Sequence, residues 1–418
     1  MRPKNLQPSS RSGRSWQWFE ALTGRGRATP GQTRGRRWVP TPAGRLSALR
    51  LAIPGAAVLA CVLGVLPLSS CGGGPPGTGP EPDPGGGCRS VLPSPYALWS
   101  EFKPLETVRG QLPALREHGI SLYQNVRSSQ VDARDPAVAE LLGRAGCEGV
   151  ELRAWLTLPE DSGYWPNEEN ADLFAEKALD LAGWIRASGW PIDWIVADME
   201  LGLGAMRELM DRFASGDLAG AVALLLGNLD PEGYARNLQR YTDLVESLHA
   251  LGFKVMVVTF PMVLDDLEDG DASVQDALNI PVDGIPWDEL SFMAYTTVFE
   301  TYIESFLPND ITPYLVSSYA QDAREAYADR AAIDIGVIGD DGITGGEGIT
   351  DLQEIRAQVG AAKSAGVPRI HAYSLDGILG MEDPGSWYEA FQAAPRSFDS
   401  QFTVDLLREL IRFLDRCI

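Results

Sequence analysis

The sequence predicts an α/β protein in which eight parallel strands close into a single-domain (β/α)8, or TIM, barrel, and three observations carry that expectation. From Tyr96 onward, short apolar or β-branched runs alternate with amphipathic helical stretches, the pattern of a parallel sheet covered by helices. The runs number eight over about 320 residues, the usual extent of such a barrel. No Gly-x-Gly-x-x-Gly follows the first run, which argues against the doubly wound alternative.

In chain order the strands are expected at Tyr96–Phe102, Ser121–Val126, Val150–Leu158, Asp193–Met199, Lys254–Phe260, Leu290–Tyr295, Ile333–Ile338 and Arg369–Ser374. Between them Leu105–His118, Pro136–Ala145, Ala171–Ser188, Pro231–Leu251, Ser317–Asp329 and Leu352–Ala365 place apolar residues at helical spacing. Gly119, Gly146, Gly189, Gly252 and Gly366 stand before strands, where a left-handed residue closes a helix. Two connections exceed normal loop length: Gly202–Asp230, which reads as helical, and Met262–Trp287, which reads as acidic and irregular. Both leave C-terminal strand ends, where barrels carry their active sites. Phe402–Ile418 reads as an amphipathic helix packed on the outside.

The chain before the barrel divides by charge. Residues 1–50 hold eleven Lys or Arg and one acid, Glu20, whereas Leu51–Ser70 holds no charge. The rest of the chain has 24 basic against 56 acidic residues, a formal charge of −32, which should repel nucleic acid and anionic lipid. A basic stretch, an apolar run and small residues before a Cys make an export signal. Leu68-Ser69-Ser70-Cys71 resembles the bacterial lipobox, in which the Cys is lipidated and becomes the new N-terminus. A transmembrane anchor is the competing expectation, but two prolines interrupt the run and a Gly/Pro-rich tether comes directly after it.

Residues 1–70 are therefore assigned as basic leader and lipoprotein signal, 71–90 as tether, 91–400 as barrel and 401–418 as the closing helix. The mature protein should sit in the cell envelope, facing the periplasm or the exterior, with that anchor as its only membrane contact. Cys88 and Cys417 flank the barrel and are expected to pair in an oxidising compartment, leaving Cys147 free. With no Cys-x-x-Cys and three histidines, no metal or cofactor is expected.

Chemistry is expected at the end of the fourth strand, where Ile192-Asp193-Trp194-Ile195-Val196-Ala197-Asp198-Met199-Glu200 closes on two acids two residues apart. Strand alternation points both the same way. A carboxyl pair held close in a partly dry site raises one proton affinity, producing a general acid. Glu200 is the candidate acid and Asp198 its partner; the simpler account is a solvated strand end or acids set at a helix N-terminus. Trp155, Tyr164, Trp165, Tyr123 and Asn125 fall near strand ends and could line a carbohydrate cleft, although core packing serves each equally well. Arg153 is expected in a buried ion pair. Asp340 and Asp341 after the seventh strand could supply a second carboxylate, but a Gly/Asp turn explains them more simply.

From strand four to strand eight the chain resembles the chitinase-like family 18 glycoside hydrolases. Their fourth-strand pattern Asp-Gly-x-Asp-x-Asp-x-Glu is met by Asp193, Asp198 and Glu200, with Trp194 and Val196 replacing the Gly and the middle Asp. The sixth-strand Met-x-Tyr-Asp is met by Met293 and Tyr295, with Thr296 at the Asp position. The eighth-strand Trp that floors the sugar subsite corresponds to Tyr373, succeeded by Ser374-Leu375-Asp376-Gly377. The resemblance implies Glu200 as acid/base, Asp198 as the residue orienting a substrate N-acetyl group that is itself the nucleophile, and Tyr295 as stabiliser of the cyclic intermediate. It implies action on a β-linked, N-acetylated glycan and adds Tyr373, Asp376 and Met293 to a substrate-binding set that the strand-end residues Trp155, Tyr123, Asn125 and Trp165 complete. The two missing acids keep a second function open, a non-catalytic glycan-binding barrel.

Overall fold

The computed structural model describes residues 90–91, 93–267, 270–303, 311–339 and 348–416. The leader, the signal segment, Cys71, the tether, Cys88, Asp340, Asp341 and Cys417 lie outside the described residues. No helix among the described residues is long and apolar enough to cross a membrane.

Eight strands pair in chain order and close on themselves: β1 (Tyr96–Ser100), β2 (Ser121–Arg127), β3 (Leu152–Thr157), β4 (Trp194–Asp198), β5 (Lys254–Thr259), β6 (Glu289–Met293), β7 (Ala331–Gly336) and β8 (Arg369–Tyr373). Every pairing is parallel, including the closing one between β1 and β8, where Tyr96 stands beside Ile370. This is the expected (β/α)8 barrel, with each strand within two residues of its expected ends.

Alternation along the strands makes two separate apolar layers. Outward residues such as Leu98, Leu122, Ile195, Val257, Phe292, Ile333 and Ile370 pack under the surrounding helices in the main core. Inward residues, among them Ala97, Trp99, Tyr123, Trp155, Val196, Met256 and Tyr373, fill the barrel itself. The interior is therefore a packed core rather than a pore.

The helices Leu105–His118, Ala171–Ser188 and Leu352–Ala365 run as expected, and the Gly202–Asp230 connection folds into helices Leu203–Ala214 and Leu218–Leu226. Gly119, Gly189, Gly252 and Gly366 are left-handed, but Gly146 is not a cap. The third-strand approach helix continues to Glu148 and Gly149 closes it at φ 77°. Gly146 answers a different need: a Cβ there would come within 2.2 Å of the Pro191 ring, so the helix can lie against Pro191 only if that position lacks a side chain.

Two further expectations are corrected. The Met262–Trp287 connection is not wholly irregular, because Asp266 accepts from the Val274 N–H and the Gln275 amide and so anchors the short helix Ser273–Ala277. Cys147 is disulfide-bonded rather than free, to a partner outside the described residues. The chain entering the barrel runs past that helix end, where the Arg116 guanidinium bonds both the Ser90 and Gly149 carbonyls at 2.8 and 2.7 Å. The closing helix, Phe402–Asp415, docks through buried Val404 and Leu407 and through Arg408, whose guanidinium meets the buried Asp265 at 2.5 Å.

Candidate active site

The barrel floor is ionic. Arg153 on β3 lies fully inside, bonded to Glu289 of β6 at 2.8 Å, with Arg369 and His371 of β8 at 3.3 and 3.4 Å from the same carboxylate. Its guanidinium is also stacked over the Trp194 ring at 3.8 Å. Burial alone would raise the Glu289 carboxyl, but Arg153, His371 and Arg369 outweigh it and hold it down at about 2. Arg153 thus occupies the buried ion pair expected of it. One layer up, His371 accepts or donates to the Tyr123 hydroxyl at 3.0 Å and faces Asp334 of β7 at 3.5 Å. Burial opposes a charged imidazole there, yet Asp334 and Glu289 raise its proton affinity.

Asp334 is held by the Trp99 indole N–H at 2.6 Å and by the Ser291 hydroxyl. Above this layer Asp198 ends β4 on the strand face of Trp194 and Val196, and Glu200, two residues on and past the strand end, is hydrogen-bonded to it. Asp198 is buried and one of its oxygens, Oδ1, has no hydrogen-bond partner. Burial is the main force raising its proton affinity, with the charges of Glu200, Glu101 and Asp334 adding to it. Glu200, partly exposed at the mouth and hydrogen-bonded to Asp198, is pushed up to about 8 by burial and then by Glu101. At neutral pH the pair therefore retains a proton, which is what a general acid needs.

The residue that sequence reasoning missed is Glu101, just beyond β1. Its carboxylate accepts from two hydroxyls, Tyr164 of the β3 connection on one oxygen and Tyr373 of β8 on the other. The Tyr373 ring in turn lies 6.1 Å from that of Tyr295. Glu101 thus links Tyr164 and Tyr373 and, through Tyr373, stands near Tyr295, while its charge acts on Asp198 and Glu200. An acid at the end of a predicted strand was the available signal, but nothing in local sequence marks which strand-end acids will meet.

Other expected site residues have different roles. Asp376 does not face a ligand: it accepts from the Ser100 hydroxyl and from the backbone N–H groups of Glu101, Phe102 and Lys103, clamping the connection that carries Glu101. Tyr123 is core rather than cleft, 1% exposed, with its hydroxyl committed to His371. Asn125 is buried and bonds Thr157 at 3.1 Å, so its amide braces β2 against β3. Trp155 is buried edge-on to Trp99 at 5.1 Å, with its indole N–H unpartnered. Met293 lies in the same inner cluster. Trp165 is partly exposed at the rim, edge-on to Tyr164 at 5.2 Å. Thr296 turns away from the mouth and accepts from the Gln358 amide at 2.8 Å, so the sixth strand brings no acid here.

Away from the mouth, Asp266, Asp271 and Asp415 bring carboxylate oxygens within 4.8 Å of one another, an arrangement that could hold a cation. Burial pushes Asp266 up to about 7, and Asp415 already accepts from the Ser273 hydroxyl, so these acids are served by protein donors and a proton.

No protein-family model matches the chain. No curated protein is similar to it either. Among solved structures, a class V chitinase from Pseudomonas fluorescens is 11% identical with a TM-score of 0.44, over 72% of this chain and 99% of that one. The spore cortex-lytic enzyme SleL of Bacillus megaterium is 10% identical at a TM-score of 0.42, over 72% and 75%. D-psicose 3-epimerase of Clostridium cellulolyticum, with D-tagatose, is also 10% identical, at 0.37 over 77% and 98%. The likeness is one of fold, and glycoside hydrolases are among the proteins that share it.

Proposed function

We propose that this protein is an exported, lipid-anchored glycoside hydrolase that cleaves a β-linked, N-acetylated glycan, with Glu200 donating the proton to the leaving oxygen. The observation that carries the proposal is the Asp198–Glu200 pair at the end of β4, which holds a proton up to about pH 8 in a partly dry mouth. Asp198 offers a buried, unpartnered oxygen that suits an amide N–H, and the acetamide carbonyl would then attack the anomeric carbon as the leaving oxygen takes the Glu200 proton. Tyr295 would steady that intermediate, and Tyr373 would present a ring face to the sugar.

Glu200→Gln, assayed on chitin and peptidoglycan oligosaccharides by mass spectrometry of the products, should lower turnover about 100- to 10,000-fold. Unchanged turnover would remove Glu200 from the chemistry. Val196 and Thr296 favour a second function, a glycan-binding barrel without turnover, because neither brings an acid to the mouth. Calorimetric binding of the oligosaccharides with no product after long incubation would establish that one instead. The anchor is tested separately: labelled palmitate should enter the wild-type protein and not Cys71→Ala.

A further inference from the structure

The mouth contains a carboxylate whose surroundings are more elaborate than packing requires. Glu101 is 6% exposed, and each of its oxygens accepts from a different tyrosine, one from the β3 connection and one from β8. Its backbone N–H and those of Phe102 and Lys103 are fixed by Asp376, 275 positions away in sequence, and the Ser100 hydroxyl completes that clamp. Tyr164, the rim-side donor, adopts a left-handed conformation at φ 66°, unusual for a residue with a side chain. Strain and a four-bond clamp spent on one buried anion are the marks of a site residue held in place.

The groups facing the β4 pair from each direction are few. β1 brings Glu101, β7 brings Asp334, β8 and β6 bring the neutral rings of Tyr373 and Tyr295, and the β3 connection brings Tyr164. β5 contributes the apolar Val258 and Phe260, and Val196 below the pair on β4 is apolar too. Arg127 acts on Tyr164, while Arg153 is tied to Glu289 on the floor. Negative charge near the pair therefore comes from other strands, and Glu101 is the acid that touches the mouth's tyrosine wall.

We propose that Glu101 is a positioning residue of this site: its buried anion, gripped by Tyr164 and Tyr373, keeps the proton on the Asp198–Glu200 pair and fixes the tyrosine wall against which a sugar ring lies. The proposal rests on Glu200 acting as the acid. A hydroxyl that donates to Glu101 cannot rotate freely, so the ring it belongs to is held too. A like charge beside a shared proton makes that proton harder to lose.

The test is Glu101→Gln, which keeps the shape and removes the charge, with folding checked by near-ultraviolet circular dichroism. Carboxyl titration by carbon-13 NMR, in the absence of substrate, should show the proton of the pair leaving about one pH unit lower than in wild type. The basic limb of kcat/KM should move down by the same amount. Tyr164→Phe, which keeps the charge and deletes one donor, should leave the titration near its wild-type position and raise KM more than it lowers kcat. An unmoved titration in folded Glu101→Gln overturns the proposal, as does an equal shift in Tyr164→Phe. Because the titration needs no turnover, a failure of the hydrolase function would show only in the assays of Glu200→Gln, and the two outcomes remain distinct.

Discussion

Glu200→Gln should make the protein more stable at pH 8 while leaving its stability at pH 4 almost unchanged. The cause is the cost of ionising a carboxyl in the mouth: the group moves from an ordinary 4.5 to about 8 on folding, through burial and then Glu101. A group that binds its proton more tightly in the folded state stabilises the fold fully below 4.5, and that contribution is lost as pH rises through the window up to about 8. At about 1.36 kcal/mol per pH unit the ceiling is about 5 kcal/mol. Partial solvent access at the mouth and sharing of the proton with Asp198 bring the expected gain to about 2 to 3 kcal/mol. Gln is near in shape to the protonated acid, so the substitution removes the titration with little change in packing. Urea unfolding of both proteins at half-unit steps from pH 4 to 9 measures this directly. Wild type should lose stability relative to the variant across pH 5 to 8, with the curves parallel above and below. Two curves parallel throughout would refute the claim that Glu200 is held protonated by its surroundings.

Arg153→Leu should destabilise the barrel by about 3 to 5 kcal/mol in the same unfolding assay, because Glu289 would keep its burial and lose its nearest counter-charge. Asp376→Asn should cost about 1 to 3 kcal/mol by leaving the Glu101 connection short of its charged acceptor. The same variant should speed amide exchange at Phe102 and Lys103; a large fall in kcat with stability unchanged would instead place Asp376 against substrate.

Much of the scaffold was readable from residue order because it is governed by local periodicity. Eight strand runs, their intervening helices and four of the five proposed capping glycines appear where the pattern puts them. The direction of Asp198 follows from alternation along β4, whereas Glu200 lies past the strand's end, where alternation no longer dictates it. Gly146 shows the limit: a glycine near a helix end looks like a cap until the neighbouring Pro191 is in view.

The site's composition was not local. Asp376 and Tyr123 look like mouth residues in sequence, yet one clamps the β1 connection and the other is spent on His371. Thr296, one residue past Tyr295, faces Gln358 because the chain turns into a helix there and strand alternation ends.

By itself, then, the sequence determined the alternation of strand and helix, the count of eight such units and the placing of two acids two residues apart at the end of β4, all set by spacings of two to four residues. Only the tertiary structure decided that Glu101, Tyr164 and Tyr373 meet beside that pair. Residues as far apart as 101 and 373 become neighbours through the β1–β8 closure of the barrel, and a contact of that sequence separation leaves no periodic trace in the chain.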